Sequence, residues 1–217
     1  MSAGTPARPS IIIFNLSDVV TRGIDDALLE ELSSGTFGIT FSPIKESVFC
    51  DPAALDVFNQ AAKGLGASGD DYLKAVIDAG KWKISLGDLR KAVLERLHHE
   101  VPGMKELLQE LKRKGFRLVL ESNHIAEWVA DIRRHHTFLD NVFEHQVFSF
   151  ETGRLNKDAG AFEAMATSLG ITPAECLYVG NSEKSGSAAR VSGMRAIHFT
   201  AVAALRRELT AMEVFNT

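Results

Sequence analysis

The sequence has few cysteines and lacks long apolar runs. Its two cysteines, Cys50 and Cys176, are too few for a disulfide framework, and neither belongs to a C-x-x-C pair. The apolar run Ile11–Phe14 has only four residues, which is too short for the apolar region of a signal peptide. No window approaches the roughly 20 apolar residues of a membrane span. We therefore expect a cytoplasmic protein without a membrane partner.

The sequence also lacks an excess of basic residues. It has 24 Lys and Arg against 28 Asp and Glu, a net charge of -4 at pH 7. Nucleic-acid-binding proteins usually show a clear basic excess, so we expect no nucleic-acid partner. What remains is the composition of an ordinary globular protein, with 45% apolar and 24% charged residues. That apolar content excludes collagen-like, mucin-like and fully disordered chains.

The apolar patterns divide the chain into segments. Residues 1–10 are predicted to be a frayed tail, and Ile11–Phe14 is typical of a strand buried on both faces of a parallel sheet. From about residue 20 to residue 100 the patterns are helical, with Ser85 as a candidate N-cap. After Val101 helices and strands alternate. We therefore expect a core at 11–20 and 101–217, with a helical cap at 21–100.

The alternation after Val101 predicts an α/β fold with a doubly wound parallel sheet. The inserted helical block would cover the carboxyl edge of the sheet, where open α/β sheets bind ligands. Four polar segments lie at that edge, each after or beside a predicted strand: Asn15–Asp18, Ser122–His124, Glu151–Lys157 and Gly180–Glu183.

These four segments, taken in order, resemble the motifs of the haloacid dehalogenase superfamily, in its phosphatase-like and dehalogenase-like branch with a helical cap. The similarity extends over nearly the whole chain after Ser10. It implies a HAD-like Rossmannoid core under a cap. It also implies hydrolysis through a covalent ester, formed by an aspartate that directly follows the first strand.

The residues that carry this chemistry in the family are replaced here. The resemblance places Asn15 at the nucleophilic aspartate and Ser17 at the second aspartate of the phosphatases. Asn156 stands at the lysine that steadies the nucleophile, and Lys157 could replace it only if the loop shifts register. Asn181 stands where the family has Mg²⁺-binding carboxylates. Because Mg²⁺ prefers anionic oxygen ligands, we expect neither a metal here nor ordinary hydrolysis.

The predicted pocket would instead be lined by neutral polar side chains. Ser122 is the one residue of the second segment in its expected place. The full set is Asn15, Ser17, Ser122, Asn123, Asn156, Asn181 and Ser182. Amides and hydroxyls both donate and accept hydrogen bonds, which suits a neutral, oxygen-bearing organic ligand better than a phosphate dianion. The alternative is an inactive site whose residues have diverged because no function constrains them.

Three ionisable residues lie close to these segments. Glu121 ends a strand where an apolar residue is expected. It is therefore either a buried general acid with a raised pKa or a residue that bonds to the backbone or to a basic partner at the sheet rim. His124 either exchanges protons in the pocket or faces solvent at the start of a helix. Asp18 points either into the cleft or, as we favour, to backbone amides.

Aromatic and histidine residues outside the four segments are weaker candidates. In the cap, Trp82, Phe49 and Phe58 either cover the ligand as a lid or pack inside the cap. His135-His136 has no carboxylate or cysteine at useful spacing, so we expect a surface pair. We expect no metal site and no cofactor.

Three functions remain open. The first is a repurposed enzyme that binds a small organic substrate and catalyses a non-hydrolytic step such as cyclisation, isomerisation or elimination. In it Asn15, Asn181 and Ser122 would orient the substrate, and Glu121 or His124 would move a proton. The second is a pseudoenzyme, a binding or regulatory protein that uses the fold as a scaffold, for example through a homodimer face. The third is a residual hydrolase in which Asp18 replaces the lost nucleophile.

Overall fold

Five apolar segments form one parallel sheet, as the alternation of strands and helices predicted. The computed structural model describes residues 8–24, 26–34 and 51–215. The strands are β1 (Ile11–Asn15), β2 (Arg117–Ser122), β3 (His145–Phe148), β4 (Cys176–Gly180) and β5 (Arg195–His198). Their order is β3-β2-β1-β4-β5, and every neighbouring pair is parallel. The chain therefore winds outward in both directions from β1, which confirms the doubly wound α/β fold.

Helices cover the sheet and form the cap. Between β1 and β2, the described residues form the helices α1 (Asp26–Ser34), α2 (Pro52–Ala62), α3 (Gly69–Gly80), α4 (Leu86–Leu97) and α5 (Met104–Arg113). Those that follow β2 are α6 (Ala126–His135), α7 (Phe138–Val142), α8 (Ser149–Thr152), α9 (Ala161–Leu169), α10 (Glu183–Val191) and α11 (Val202–Ala211). The helical block predicted after the first strand is present as α1 to α4 in the described residues.

The two faces of the sheet pack into different apolar clusters. Ile12 and Phe14 of β1 belong to a large cluster that includes the cap helices α3 and α4. Ile11 and Ile13 belong to a second cluster, which includes Phe162 of α9. Because successive side chains of a strand point to opposite faces, Asn15 follows Ile13 toward α9. A side chain at the end of a strand therefore lies either on the α9 face of the sheet or on the face that packs against α3 and α4, depending on its position in the strand.

The residues directly before β1 are held to the core. The backbone N–H of Ser10 donates to the carbonyl of Glu175 at 3.1 Å, and that of Arg117 donates to the carbonyl of Ser10 at 3.2 Å. Pro9 is buried. The last residues of the segment expected to be a frayed tail are therefore held to the core by backbone hydrogen bonds.

The cap meets the core at the first turn of α3. Gly69 donates its N–H to the Glu127 carboxylate at 2.5 Å. A Cβ at Gly69 would lie only 2.4 Å from Nε1 of Trp128, so the close approach of cap and core requires glycine there. Ser68 caps this helix through a capping box with Asp71. Within the described residues, no helix is both long and apolar enough to cross a membrane.

The capping box gives a prediction about the cap. Ser68→Ala removes the oxygen that accepts the N–H of Asp71 at 3.1 Å, so we expect the free energy of unfolding to fall by about 1 kcal/mol. Ser187→Ala, on the exposed face of α10, is the matched control and should change it by less than about 0.5 kcal/mol. Urea unfolding of both variants measures the difference, and equal effects would contradict the capping role.

Candidate functional site

The carboxyl group of Glu121 lies at the centre of a buried polar network. Glu121 ends the apolar stretch of β2 and is only 6% exposed. Its Oε2 accepts hydrogen bonds from Asn156 Nδ2 at 3.2 Å, Asn15 Nδ2 at 3.4 Å and the Tyr178 hydroxyl at 3.5 Å. These partners are two amides and a phenol, so they bring donors without bringing charge.

Burial controls the protonation of this carboxyl group. It raises the pKa of Glu121 from 4.5 to about 7, against the lowering effect of the hydrogen bonds from Asn156, Asn15 and Tyr178. Burial also raises the pKa of the Tyr178 phenol above its ordinary value, so Tyr178 stays a donor. Of the two alternatives for Glu121, the structure shows a buried carboxyl group whose side-chain partners in the described residues are uncharged, and not one paired with a base. Near pH 7 it can both give and take a proton.

Asn156 connects this carboxyl group to the loop after β2. It exchanges two hydrogen bonds with Asn123: Asn123 Nδ2 donates to Asn156 Oδ1, and the Asn156 backbone N–H donates to Asn123 Oδ1, both at 2.8 Å. The Ser185 hydroxyl also donates to Asn156 Oδ1, at 3.0 Å. Lys157 is exposed and lies outside this network. The loop therefore places Asn156, and not Lys157, beside the residues of the site.

Two cavities flank the network, although we expected one. The first, which we call the α9 cavity, has a volume of about 230 Å³, and its lining includes Glu121, Asn156, Val147, Phe162 and Met165. The second, the cap cavity, has a volume of about 250 Å³, and its lining includes Ser17, Asn123, His124, Phe58, Tyr72 and Trp128. In the described part of the chain the two cavities share no lining residue.

Glu121 and His124 therefore face different cavities. Glu121 pairs in register with Asn15 and so lies on the α9 side of the sheet. His124 lies two residues beyond the end of β2, where the chain has turned toward the cap. Either residue was expected to move a proton in the predicted pocket, and the structure places the two side chains at separate cavities.

His124 is buried and neutral. It is 4% exposed, and its Nδ1 accepts the backbone N–H of Ile125 at 3.1 Å. Its ring meets Trp128 edge-on, with the centroids 6.0 Å apart. Burial lowers the pKa of His124 from 6.5 to about 4, so at pH 7 its proton is on Nε2. The solvent-facing alternative for this residue is wrong.

Asp18 has the structural role that we favoured. Its backbone has a positive φ of 58°, and its Oδ1 accepts the N–H of Gly23 at 2.8 Å. A Cβ at Gly23 would lie 2.8 Å from Oδ2 of Asp18, so the turn needs glycine at this position. Asn181, which is exposed, donates to that Oδ2 at 3.5 Å. The carboxylate thus closes the loop after β1.

The residues at the family's magnesium position do not fit that ion. Asn15 and Asn181 both direct an amide N–H toward a carboxylate, Glu121 and Asp18 respectively. Mg²⁺ needs oxygen ligands, preferably anionic ones, in a near-octahedral arrangement. An amide that presents its NH₂ group to a carboxylate does not supply them.

The remaining predicted residues lie around the network. Ser122 is buried at the end of β2, and Ser182 caps α10 by accepting the N–H of Ser185 at 3.5 Å. Trp82 lies beside Gly80 in the cap and is not among the described residues that line the cap cavity. Phe58, for which we expected either a place over the ligand or packing inside the cap, does line that cavity, together with Tyr72 and Trp128. Phe49 lies outside the described residues.

Sequence reasoning missed Tyr178 and Ser185. Tyr178 lies in an apolar strand, but a buried tyrosine hydroxyl generally has a hydrogen-bond partner, and its register opposite Ile13 puts it on the α9 face. A Cβ at Gly180 would lie 2.6 Å from the Tyr178 ring, so this ring depends on a glycine neighbour. Ser185 looked like one of several small helix residues. Only its position in the first turn of α10 brings it to Asn156.

The expectation for His135-His136 is also wrong. His136 is buried, and its Nε2 lies 3.3 Å from the carbonyl of Leu97. His135 is exposed, but Asp131 precedes it by four residues on α6, and its Nδ1 lies 3.9 Å from the Asp131 carboxylate. The i, i+4 spacing was visible in the sequence as a signal for this contact.

Comparison with known families identifies the fold independently. A family model described as haloacid dehalogenase-like hydrolase matches residues 52–193. None of the curated proteins compared with the chain matches it significantly in sequence.

Several solved structures are similar to this chain. A predicted HAD-like family hydrolase from Porphyromonas gingivalis has a TM-score of 0.69 at 19% identity, covering 94% of this chain and 98% of that one. A HAD family enzyme from Bacteroides thetaiotaomicron, as a magnesium complex, has a TM-score of 0.65 at 21% identity, covering 92% and 99%. L-2-haloacid dehalogenase from Xanthobacter autotrophicus, with chloropropionic acid covalently bound, has a TM-score of 0.63 at 16% identity, covering 94% and 83%. At these identities the likeness is one of fold.

The raised pKa of Glu121 predicts a pH dependence of stability. The folded protein keeps the Glu121 proton up to about pH 7, whereas the unfolded chain releases it near 4.5. The contribution of Glu121 is therefore fully present below pH 4.5 and is lost as the pH rises through 7. Glu121→Gln cannot ionise, so it should be more stable than wild type by an amount that grows from near zero at pH 4.5 to about 3 kcal/mol above pH 7.

Urea unfolding at pH 4.5, 6 and 8 measures this difference. Glu163→Gln, on the exposed side of α9, controls for the loss of one carboxylate. A stability difference between Glu121→Gln and wild type that does not change with pH would contradict the raised pKa.

Proposed function

The chain belongs to the haloacid dehalogenase-like hydrolase family, and we propose that it is a member in which proton transfer on an uncharged small molecule has replaced ester-forming hydrolysis. The observation that carries the proposal is the Glu121 carboxyl group, buried at the wall of a cavity with a pKa near 7. A perturbed titratable group in a cavity is a common mark of a catalytic site.

The α9 cavity supports an uncharged organic ligand. Its lining combines apolar side chains such as Phe162 and Met165 with two polar groups, Glu121 and Asn156. Small-molecule sites commonly have this composition, because apolar walls supply affinity and a few polar groups fix the orientation. Arg154, the cation among the described lining residues, is exposed. An anionic group bound in the cavity would therefore have no buried positive partner among those residues.

Glu121 could catalyse a step that moves one proton. As a carboxylate it removes a proton from one atom of the ligand, and as a carboxylic acid it returns the proton to another. This sequence isomerises the ligand and leaves Glu121 as it began. Near pH 7 both the carboxylate and the carboxylic acid form of Glu121 are populated. The group can therefore both remove the proton and return it without a large change in its own pKa. Elimination and cyclisation use the same exchange with a different bond broken or formed.

Hydrolysis by the family's route is disfavoured by the same contacts. An amide oxygen at Asn15 is a far weaker nucleophile than a carboxylate, and its NH₂ group is directed at Glu121. Asn156 brings no positive charge where the resemblance implies a lysine. Both carboxylate oxygens of Asp18 already accept hydrogen bonds, Oδ1 from the N–H of Gly23 and Oδ2 from Asn181.

A binding protein without turnover is the second candidate. One observation favours it: Asn123 and Asn156 satisfy much of each other's hydrogen-bonding capacity, and Asn15 is directed at Glu121. Side chains already paired in this way have less capacity left for a substrate. This alternative shares the α9 cavity as the ligand site and differs in predicting no chemistry there.

A neutral probe distinguishes the two candidates. In 5-nitrobenzisoxazole a base removes the ring C–H proton, the N–O bond breaks and a coloured phenolate forms, so absorbance reports general-base catalysis. We expect wild type to exceed the rate with free acetate, with a rate that rises through about pH 7. Glu121→Gln should lower the catalysed rate at least about 100-fold, and Glu163→Gln should not. Equal rates for wild type and Glu121→Gln, or no wild-type catalysis above acetate, would contradict proton transfer by Glu121.

Restoring the nucleophile tests the loss of hydrolysis. Asn15→Asp should remain at background toward an aryl phosphate with Mg²⁺, because Asn156 and Asn181 still lack the charges that the family uses. The new carboxylate would also lie beside Glu121, whose proton it would compete for. Robust phosphatase activity from this single change would contradict the proposal, as would wild-type hydrolysis that Asp18→Asn abolishes.

A further inference from the structure

Three side chains with metal-binding donors meet where the cap contacts the core. His98 follows the last residue of α4 in the cap, whereas Asp131 and His135 lie one turn apart on α6 of the core. One donor atom from each lies within 4.8 Å of the other two. His98 Nε2 is 2.5 Å from Asp131 Oδ2, and His135 Nδ1 is 3.9 Å from the same oxygen.

We propose that His98, Asp131 and His135 bind a divalent first-row transition-metal ion, with Zn²⁺ as the class that the donors fit best. Two imidazoles and one carboxylate are ordinary zinc ligands, and three protein ligands leave a fourth position for water. Zn–N and Zn–O distances of about 2.1 Å imply tetrahedral donor separations of about 3.4 Å. The two contacts to Asp131 Oδ2 lie on either side of that value. To bind the ion, His135 Nδ1 would leave the backbone carbonyl of Asp131, which lies 3.0 Å away, and the two imidazole rings would turn apart from their stacked arrangement.

The neighbours of the cluster are compatible with a cation. Arg134 donates to Oδ1 of Asp131 at 2.5 Å, while the histidines approach Oδ2. The Arg134 side chain is 71% exposed, so it can move into solvent when a cation takes over its role. The rings of His98 and His135 are stacked with centroids 3.4 Å apart, so the two imidazoles already lie next to each other.

A metal at this site would join the cap to the core. His98 is carried by the cap and the other two ligands by α6, so coordination adds a cross-link between elements that are distant in sequence. Leu97, next to His98, and Trp128, one turn before Asp131, both line the cap cavity. The ion would thus hold that wall of the cap cavity in place and stabilise the folded protein by binding to it.

Metal titration of the full chain tests the site. After EDTA treatment and removal of the chelator, calorimetric titration with Zn²⁺ should show one ion per chain, and Mg²⁺ should not compete. His135→Ala and Asp131→Asn should each weaken Zn²⁺ binding more than about 100-fold, since losing even an outer-shell partner typically costs 10–100-fold. His99→Ala, an exposed histidine next to the cluster, is the matched control and should bind as wild type does.

Two further measurements keep the test independent of folding. Zn²⁺ should raise the melting temperature of wild type and His99→Ala but not of His135→Ala, whose exposed ring can be removed without opening the core. Co²⁺ should give the intense visible absorption of a tetrahedral site in wild type and lose it in His135→Ala. Failure of wild type to bind Zn²⁺, or equal binding by wild type and His135→Ala, would overturn the proposal.

Discussion

The contact between the Glu121 carboxyl group and its neutral donors determines the arrangement of the whole site. A carboxyl group in an apolar interior needs hydrogen bonds, and an ionised one needs a positive partner as well. Here Asn15, Asn156 and Tyr178 supply the donors without the charge. An aspartate at position 15 would place a second carboxylate against Glu121, and a lysine at position 156 would favour its ionisation. The two asparagines and the raised pKa of Glu121 therefore depend on each other.

This dependence explains how the backbone fold of the family can be retained while the residues of its active site are replaced. The parallel sheet brings the ends of β1, β2 and β4 to one edge, whatever residues stand there. The register of Asn15 with Glu121 then directs both toward α9, away from the cap. The hydrogen bonds between Asn123 and Asn156 form the boundary between the two cavities. Chemistry at Glu121 would thus take place on the side of the sheet opposite the cap helices.

Much of the fold was predictable from the sequence, and part of the site was as well. Buried parallel strands are continuous apolar runs, so Ile11–Phe14 and the strands after Val101 could be recognised, and the polar segments after them marked the site. The separation of Glu121 from His124 could not be predicted from the alternation of β2, because His124 lies beyond the end of that strand at Ser122. Tyr178 was not recognised as a site residue, because it lies in an otherwise apolar strand. The contact of His98 with Asp131 could not be predicted, because it depends on how the cap packs against the core.

The protonation state of Glu121 is the most direct test of this account. Infrared difference spectra of the folded protein, recorded across a pH series and compared with those of Glu121→Gln, isolate the C=O stretch of this one carboxylic acid. We expect the protonated band to persist above pH 6 and to disappear around pH 7, because burial raises the pKa of Glu121 to about 7. A band already lost by pH 5 would mean that Glu121 is an ordinary carboxylate, and the proposed proton transfer would then lack its acid.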